Sequence, residues 1–419
     1  MLSNTLKILR GTVAAQTLGF IALPLLTRLF TPESFGLFQL FQAAMLLLLV
    51  TTAMRYEIAL LRAAEGRELA ATLVLCGVIN VVVSLLVALG CAVAVWGPFD
   101  LSPQARKLLW WLPVGVLSSG ALQTLGYLAL RHKAFNLVAS AKVAQALGTV
   151  VASIGIGLLA PVSSGLIIGD LLGRLASAAM IGTRRALVGA VDLARCTATD
   201  LASAARRFRE FPIVSVPGGL INAAGGTLTS LMMFSAFDAS TAGQYGLAER
   251  SIILPMGMVA GAVSQVFVAD LSACLREGRT RALALYRGVM WRMFLLGLGP
   301  AVVVGLFAPP VFGWLFGPAW EQAGEFARIL SPLMLVGLVT TSVNMAILIA
   351  GYQKVQLAWE VLRLVAMLAA WLALTHFDVP ARWAVAMHVL VVSLTSTLYL
   401  LLADHMLRLP PSTGVSSAP

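Results

Sequence analysis

Residues 69–96 read LAATLVLCGVINVVVSLLVALGCAVAVW, twenty-eight positions without one Asp, Glu, Lys or Arg. About 20 apolar residues carry an α-helix across the hydrocarbon core of a bilayer. No water in that core satisfies backbone N–H and C=O groups, so a lone apolar run of this length must close its own hydrogen bonds as a helix. Eleven more such runs lie on either side, at roughly 8–28, 35–61, 107–130, 138–158, 165–183, 212–235, 243–271, 285–308, 323–350, 356–375 and 381–403. Hydrophobic residues make up 59% of the chain, charged residues 11%, and mean hydropathy is +0.91. A soluble domain carries about 25% charged residues. This chain cannot cover itself with a water-compatible surface, and lipid is its solvent. The expected fold class is all-α, a polytopic membrane protein of twelve transmembrane helices, with no large extramembrane domain to hold a soluble active site.

Net charge is +11, from 29 Lys and Arg against 18 Asp and Glu. On a soluble protein this excess would suggest nucleic acid. Here its distribution follows the membrane. With the N-terminus inside, the loops of that side hold Lys7, Arg10, Arg62, Arg67, Arg131, Lys133, Arg184, Arg185, Arg195, Arg206, Arg207, Arg209, Arg276, Arg279, Arg281, Arg287, Lys354 and Arg408. The opposite loops hold Arg28, Arg106, Lys107 and Arg382. Eighteen against four is a positive-inside bias. It predicts two cytoplasmic termini, an even number of spans and no nucleic-acid partner. The start resembles a secretory signal in charge, but Pro24 and Thr27-Arg28 end it without a cleavage site, so it reads as the first transmembrane helix.

The one long polar interval, 184–211, ends in a basic stretch. It reads either as a short amphipathic helix on the anionic inner leaflet or as a solvated linker. It divides the chain into an N-lobe, 1–183, and a C-lobe, 212–403, followed by a cytoplasmic tail, 404–419. The lobes echo each other. FTPESFGLFQL (30–40) and FDASTAGQYGLAER (237–250) align when Gly36 is set on Gly246, an offset of 210. LLWWLPVGVL (108–117) and ARILSPLMLVGL (327–338) form a second pair. Six spans per half keep both copies in one orientation, which predicts two pseudo-symmetric six-helix lobes related by an axis along the membrane normal.

Several stretches resemble the polysaccharide flippases (Wzx-type) of the multidrug/oligosaccharidyl-lipid/polysaccharide exporter superfamily. GTVAAQTLGFIALPLLTRLFTPESFGLFQLF (11–41) is similar to that family's first two helices, and MRYEIALL (54–61) to its second-helix Arg-Tyr-Glu pattern. LFGPAWEQAGEFARILSP (315–332), Asn344 and GYQK (351–354) resemble its ninth-to-tenth helix connection. The resemblance implies a V-shaped exporter fold in the bacterial inner membrane. It also implies a cargo, an undecaprenyl-diphosphate-linked oligosaccharide, with membrane lipids, a polysaccharide polymerase and assembly proteins as further candidate partners.

Seven bases fall inside the spans, Arg55, Lys142, Arg174, Arg250, Arg292, Arg328 and Arg363, with five acids, Glu57, Asp170, Glu249, Asp270 and Glu360. A charge at bilayer depth costs at least ~2.5–3.5 kcal/mol, so such residues face a wet cavity or a partner. Arg174, Arg292 and Asp270 are close enough to span ends to snorkel. An anionic diphosphate calls for cations, and the candidate substrate-binding residues are Arg55, Arg250, Arg28 and Lys142. Arg28 is equally well read as an interfacial anchor. Glu57 and Glu249 are candidates for supporting ion pairs or for coupling. On one continuous helix Arg55 and Glu57 lie about 200° apart. Arg55 then shares a stripe with Ala59 and Arg62, while Glu57 faces a cation such as Lys142 or Arg174. The competing reading makes Arg55 part of an ion pair within its lobe.

No catalytic constellation is present. His132, His376, His388 and His405 are scattered, and Cys76, Cys91, Cys196 and Cys274 have neither metal-ligand nor disulfide spacing. No metal, no cofactor and no enzymatic activity are expected. The chain has no G-x-x-x-x-G-K-[ST] loop, which leaves an ion gradient, of protons or sodium, or the substrate's own concentration difference as the driving force. A cation exporter of the multidrug branch would line its cavity with acids, whereas bases are in excess here. A membrane enzyme of glycan assembly would need a larger outer loop. The sequence therefore favours a flippase for a lipid-linked oligosaccharide working by alternating access in surface polysaccharide biosynthesis.

Overall fold

The computed structural model describes residues 2–98, 103–159, 162–184, 196–376 and 379–409. Arg185 and Arg195 of the polar interval, Asp100, Asp378 and the end of the tail lie outside the described residues. Every regular element among the described residues is a helix. The first of two compact units, 1–243, contains α1 (Leu2–Leu29), α2 (Pro32–Leu49), a single turn α3 (Tyr56–Ala59), α4 (Arg67–Trp96), α5 (Pro103–Arg131), α6 (Phe135–Leu159) and α7 (Gly165–Gly182). The short α8 (Ala198–Arg207) and α9 (Val216–Ala236) complete it. The long α10 (Ala239–Glu277) starts in this unit. The second unit, 244–419, adds α11 (Arg279–Phe316), α12 (Glu321–Val343), the one-turn α13 (Ala346–Ile349), α14 (Gln353–His376) and α15 (Ala381–Arg408).

Eleven helices are long and apolar enough to cross a bilayer, and twelve when Phe211–Gly225 and Thr227–Ala236, bent by 53°, form one span. The multi-span, all-helical fold read from composition is therefore present. Its lipid-facing surface is visible in the exposed leucines and valines of α4, with Leu85, Leu86 and Leu89 each more than 60% exposed.

The two echoing stretches are both helix starts. Thr31 accepts from the Ser34 backbone N–H at 3.3 Å ahead of Pro32, and Asp238 accepts from the Thr241 N–H at 2.6 Å. Both are N-caps that satisfy otherwise orphaned donors. They also meet: a Cβ on Gly36 would overlap the Ala239 carbonyl, and one on Gly243 would overlap that of Pro32. Only glycine lets the two backbones approach this closely.

The polar interval forms the short amphipathic helix of the first reading, but its apolar side meets protein. α8 carries a reciprocal capping box between Thr197 and Asp200. Ala204, Phe208 and Phe211 share a buried cluster with Tyr56, Leu60, Leu69, Cys76 and Leu128. The Tyr56 hydroxyl donates to the Ala205 carbonyl at 3.1 Å, and Arg207 pairs with Glu68 at 2.9 Å. The basic end of the interval thus clasps the end of the first unit.

In the second unit, buried aromatic rings keep their polar ends bonded. Trp359 donates to the Thr395 carbonyl at 2.7 Å. Tyr399 donates to the Asn344 carbonyl at 2.6 Å, where α12 breaks before α13. Gln244 donates to the Ala319 carbonyl at 2.6 Å and accepts from the Ala323 N–H at 2.9 Å. Those bonds fix the LFGPAW turn, whose Gly317 has a φ of +108°.

Candidate functional site

The segment MRYEIALL does not continue the preceding helix. α2 ends at Leu49, and residues 50–55 turn before α3 begins. Thr51 donates to the Leu48 carbonyl at 2.8 Å and Thr52 to the Leu49 carbonyl at 3.0 Å. Hydroxyls that bond the preceding turn offer the backbone an alternative to the helix. Met54 and Arg55 then adopt left-handed φ values of 50° and 64°, a conformation that costs a non-glycine residue roughly 1–2 kcal/mol. Such strain persists where the surroundings over-determine it, and it gathers at functional sites.

This break corrects the continuous 35–61 span, and with it the helical-wheel placement of Arg55 beside Ala59 and Arg62. Arg55 is half-buried, and its guanidinium lies against Gly219 of α9, where a Cβ would come within 2.6 Å of Nη2. Among the described residues no acceptor lies within hydrogen-bond or salt-bridge distance of it, although its charge acts on Glu57, two positions along, and on Tyr127. Glu57 is fully buried. Its Oε1 accepts from Gln123 Nε2 of α5 at 2.9 Å, while Oε2 has no protein partner among the described residues. Gln123 Oε1 in turn accepts from the Thr52 hydroxyl at 3.3 Å. The partner of Glu57 is therefore an amide, not the cation expected in Lys142 or Arg174. Arg131 closes the assembly by donating to the Leu60 carbonyl at 2.6 Å.

The other charges are distributed as follows. Lys142 of α6 donates to the Thr12 hydroxyl of α1 at 2.9 Å. Arg174 does not snorkel. It pairs with Asp170 one turn earlier at 2.7 Å and donates to Gln42 of α2 at 3.0 Å and to Ser119 of α5, so it cross-links three helices. Arg292 and Asp270 are exposed, and Arg28 is exposed in the last turn of α1. In the second unit Glu249 and Arg250 are half-buried on α10, both engaged within the protein, and the Tyr245 hydroxyl donates to Glu249 Oε1 at 3.2 Å. The first unit thus gathers Arg55, Glu57, Gln123 and Thr52 at one helix break, apart from the Lys142–Thr12 and Arg174–Asp170 sites. Gln123 and Gly219 were missed from sequence. The doublet Thr51-Thr52, two β-branched hydroxyl residues in an apolar run, is the signal that marks the break.

Comparison with known proteins places this geometry in context. Residues 25–325 match the family model for "Polysaccharide biosynthesis protein". The lipid II flippase MurJ, in an inward closed conformation, superposes with a TM-score of 0.73 at 13% identity, over 97% of this chain and 88% of that one. A multidrug resistance MATE family transporter of the MOP superfamily, inward-facing, gives 0.60 at 16% identity, over 97% and 94%. A MOP superfamily transporter from Pyrococcus furiosus, whose binding pocket is described as of reverse polarity, gives 0.57 at 16% identity, over 96% and 94%. Identities this low show a shared fold. No curated protein sequence matches the chain. The fold is that of these transporters, and the family match runs from α1 into α12; on that match the chain belongs to the polysaccharide biosynthesis protein family.

Proposed function

We propose that this protein is a flippase that carries an undecaprenyl-diphosphate-linked oligosaccharide from the cytoplasmic to the outer leaflet of the bacterial inner membrane by alternating access, for surface polysaccharide biosynthesis. The observation that carries the reading is Arg55: a guanidinium in a membrane-spanning unit, half-buried against Gly219, with no acceptor at hydrogen-bond distance among the described residues and the nearby Glu57 carboxylate bonded instead to Gln123. A diphosphate moved away from water needs compensating cations. Arginine stays charged when desolvated and offers a planar fork that matches phosphate oxygens. The lipid tail stays in the bilayer while the sugars pass through water. Arg250 is the second cation of the proposal, Arg28 and Lys142 are supporting charges, and a proton or sodium gradient supplies the drive. Family membership supports a glycan cargo over the drug cargo of the multidrug neighbours.

Deleting the gene should stop surface polysaccharide production and leave the lipid-linked intermediate on the cytoplasmic side. Unchanged polysaccharide with no such accumulation would overturn the reading. Losing a charge-assisted hydrogen bond removes about 1.5–3 kcal/mol, so Arg55→Ala should cut export about ten- to a hundredfold at normal membrane abundance. Arg55→Lys keeps the charge without the fork and should restore part of that loss. Full export by well-expressed Arg55→Ala would remove Arg55 from the site.

A further inference from the structure

The second unit holds an apolar groove that the proposed transport chemistry does not use. It lies between α11, α12 and α15 and encloses about 490 Å³. On α11 its wall is Arg287, Met290, Trp291 and Phe294, spaced i, i+3, i+4, i+7 along one helix face. Leu335 and Val339 of α12 and Leu400 of α15 close the other sides. Trp291 stacks on Phe294 with ring centroids 5.5 Å apart and is largely exposed. The polar groups in the lining are the Arg287 guanidinium, the Thr397 hydroxyl and the Trp291 indole N–H.

One end of the groove is cationic. Arg287 donates to both oxygens of Asp404, at 2.7 and 3.1 Å, and Arg408 donates to the same carboxylate at 2.5 Å. The carboxylate side chain is 20% exposed, the two guanidinium side chains 51% and 55%. Two bases share one covered acid, so the face they present is positive, and each guanidinium retains further donors out of its five N–H groups. Arg279, whose guanidinium donates to the Met406 carbonyl at 2.9 Å, adds to the same end. α11 has 38 residues, far more than the ~20 that cross a hydrocarbon core. Its first turns, with Arg279 and Arg287, therefore reach the membrane–water boundary.

We propose that this groove binds an anionic glycerophospholipid, with one acyl chain along Trp291, Phe294, Leu335 and Val339 and the phosphate against Arg287 and Arg408. The apolar wall alone would accept any chain. The exposed guanidinium pair over a covered carboxylate selects the negative headgroup. Trp291, one turn beyond Arg287, occupies the depth at which an amphipathic ring anchors at headgroups, and Phe294 stacks on its apolar side.

The full chain would be placed in nanodiscs containing equal phosphatidylglycerol and phosphatidylcholine, then examined by native mass spectrometry for retained lipid. Wild type should retain phosphatidylglycerol over phosphatidylcholine about fivefold, the worth of roughly one basic side chain at an anionic surface. Arg287→Gln with Arg408→Gln should equalise the two lipids. Val339→Trp should fill the groove and lower retention of both. Thermal unfolding identifies any variant that fails to fold. For that case, wild type labelled with a diazirine-bearing phosphatidylglycerol should give adducts on α11, α12 and α15. The proposal is overturned by equal retention in wild type, by full retention in Val339→Trp, by adducts confined to other helices, or by undecaprenyl phosphate displacing phosphatidylglycerol at equal concentration.

Discussion

Glu57 is fully buried with one oxygen held by Gln123 and the other without a protein partner among the described residues. A buried carboxylate stripped of its donor costs more than a neutral group in the same position, for which the penalty is about 1–3 kcal/mol. Gln123→Leu should therefore lower the unfolding temperature markedly. Glu57→Leu leaves the Gln123 amide with a single remaining bond, from Thr52, and should cost less. The double variant replaces both partners by apolar groups of similar size, so it should be more stable than Gln123→Leu alone. That non-additivity, read from thermal unfolding of the four proteins in one detergent, measures the pair; strictly additive losses would show that no coupling exists. The sequence identified Arg55 and Glu57 because charge in an apolar run is visible without a structure. It could not identify their neighbours. Gln123 is 66 positions from Glu57 and is one of several amides in the chain, so the pairing is set by how α3 seats on α5.

At the scale of elements, the break in α2 is what presents Arg55, and Gly219 of α9 is what admits it. A Cβ at Gly219 would lie 2.6 Å from Arg55 Nη2 and 2.9 Å from a Val50 methyl. The end of an arginine is free to move where a backbone is not. Gly219→Val should thus displace the guanidinium and reduce export while membrane abundance holds; a fall in abundance would assign Gly219 to helix packing instead. The short α8 allows a test by pH, since it lies outside the spans. Asp200 accepts from the Thr197 hydroxyl at 2.7 Å and the Thr197 N–H at 3.0 Å. These bonds favour the ionised form and hold its carboxyl below the usual aspartate range. A folded value below the unfolded one means that the cap acts in full above that range and is lost as pH falls through the lowered value. Protection of the α8 amides, corrected for the intrinsic pH dependence of exchange, should hold down to the usual aspartate range and fall only below it in wild type, but should already be reduced at neutral pH in Asp200→Ala. Equal exchange in both proteins at neutral pH would show that packing against the Tyr56 cluster alone holds the helix. A short amphipathic helix was legible in the basic end of the interval, but the docking of α8 on protein rather than lipid was not, because an amphipathic face does not name the apolar surface it meets.

For the whole molecule, hydropathy located the spans because the bilayer imposes one length on every crossing, whatever the packing inside. It could not locate breaks within a span, since Thr51-Thr52 and Gly226 change mean hydropathy very little. The bend at Gly226 bears directly on topology. Counted as one crossing, Phe211–Ala236 makes twelve spans and puts both termini on one side; counted as a re-entrant pair it makes eleven and puts them on opposite sides. Its 26 residues exceed the ~20 needed to cross, even with a 53° bend. The charges before it, Arg206, Arg207 and Arg209, are followed by a loop at 237–238 without Lys or Arg, the asymmetry expected of a full crossing from inside to outside. In a background with the four cysteines replaced, Cys substituted for Arg206, Lys133 or Arg408 should react with a membrane-impermeant maleimide only in inside-out vesicles. Cys substituted for Asp238, Arg106 or Arg382 should react only in intact cells. The position that decides the count is Asp238. Labelling there from the same side as Arg206 would make the bent pair a re-entrant loop, leave eleven spans and move the C-terminus outside.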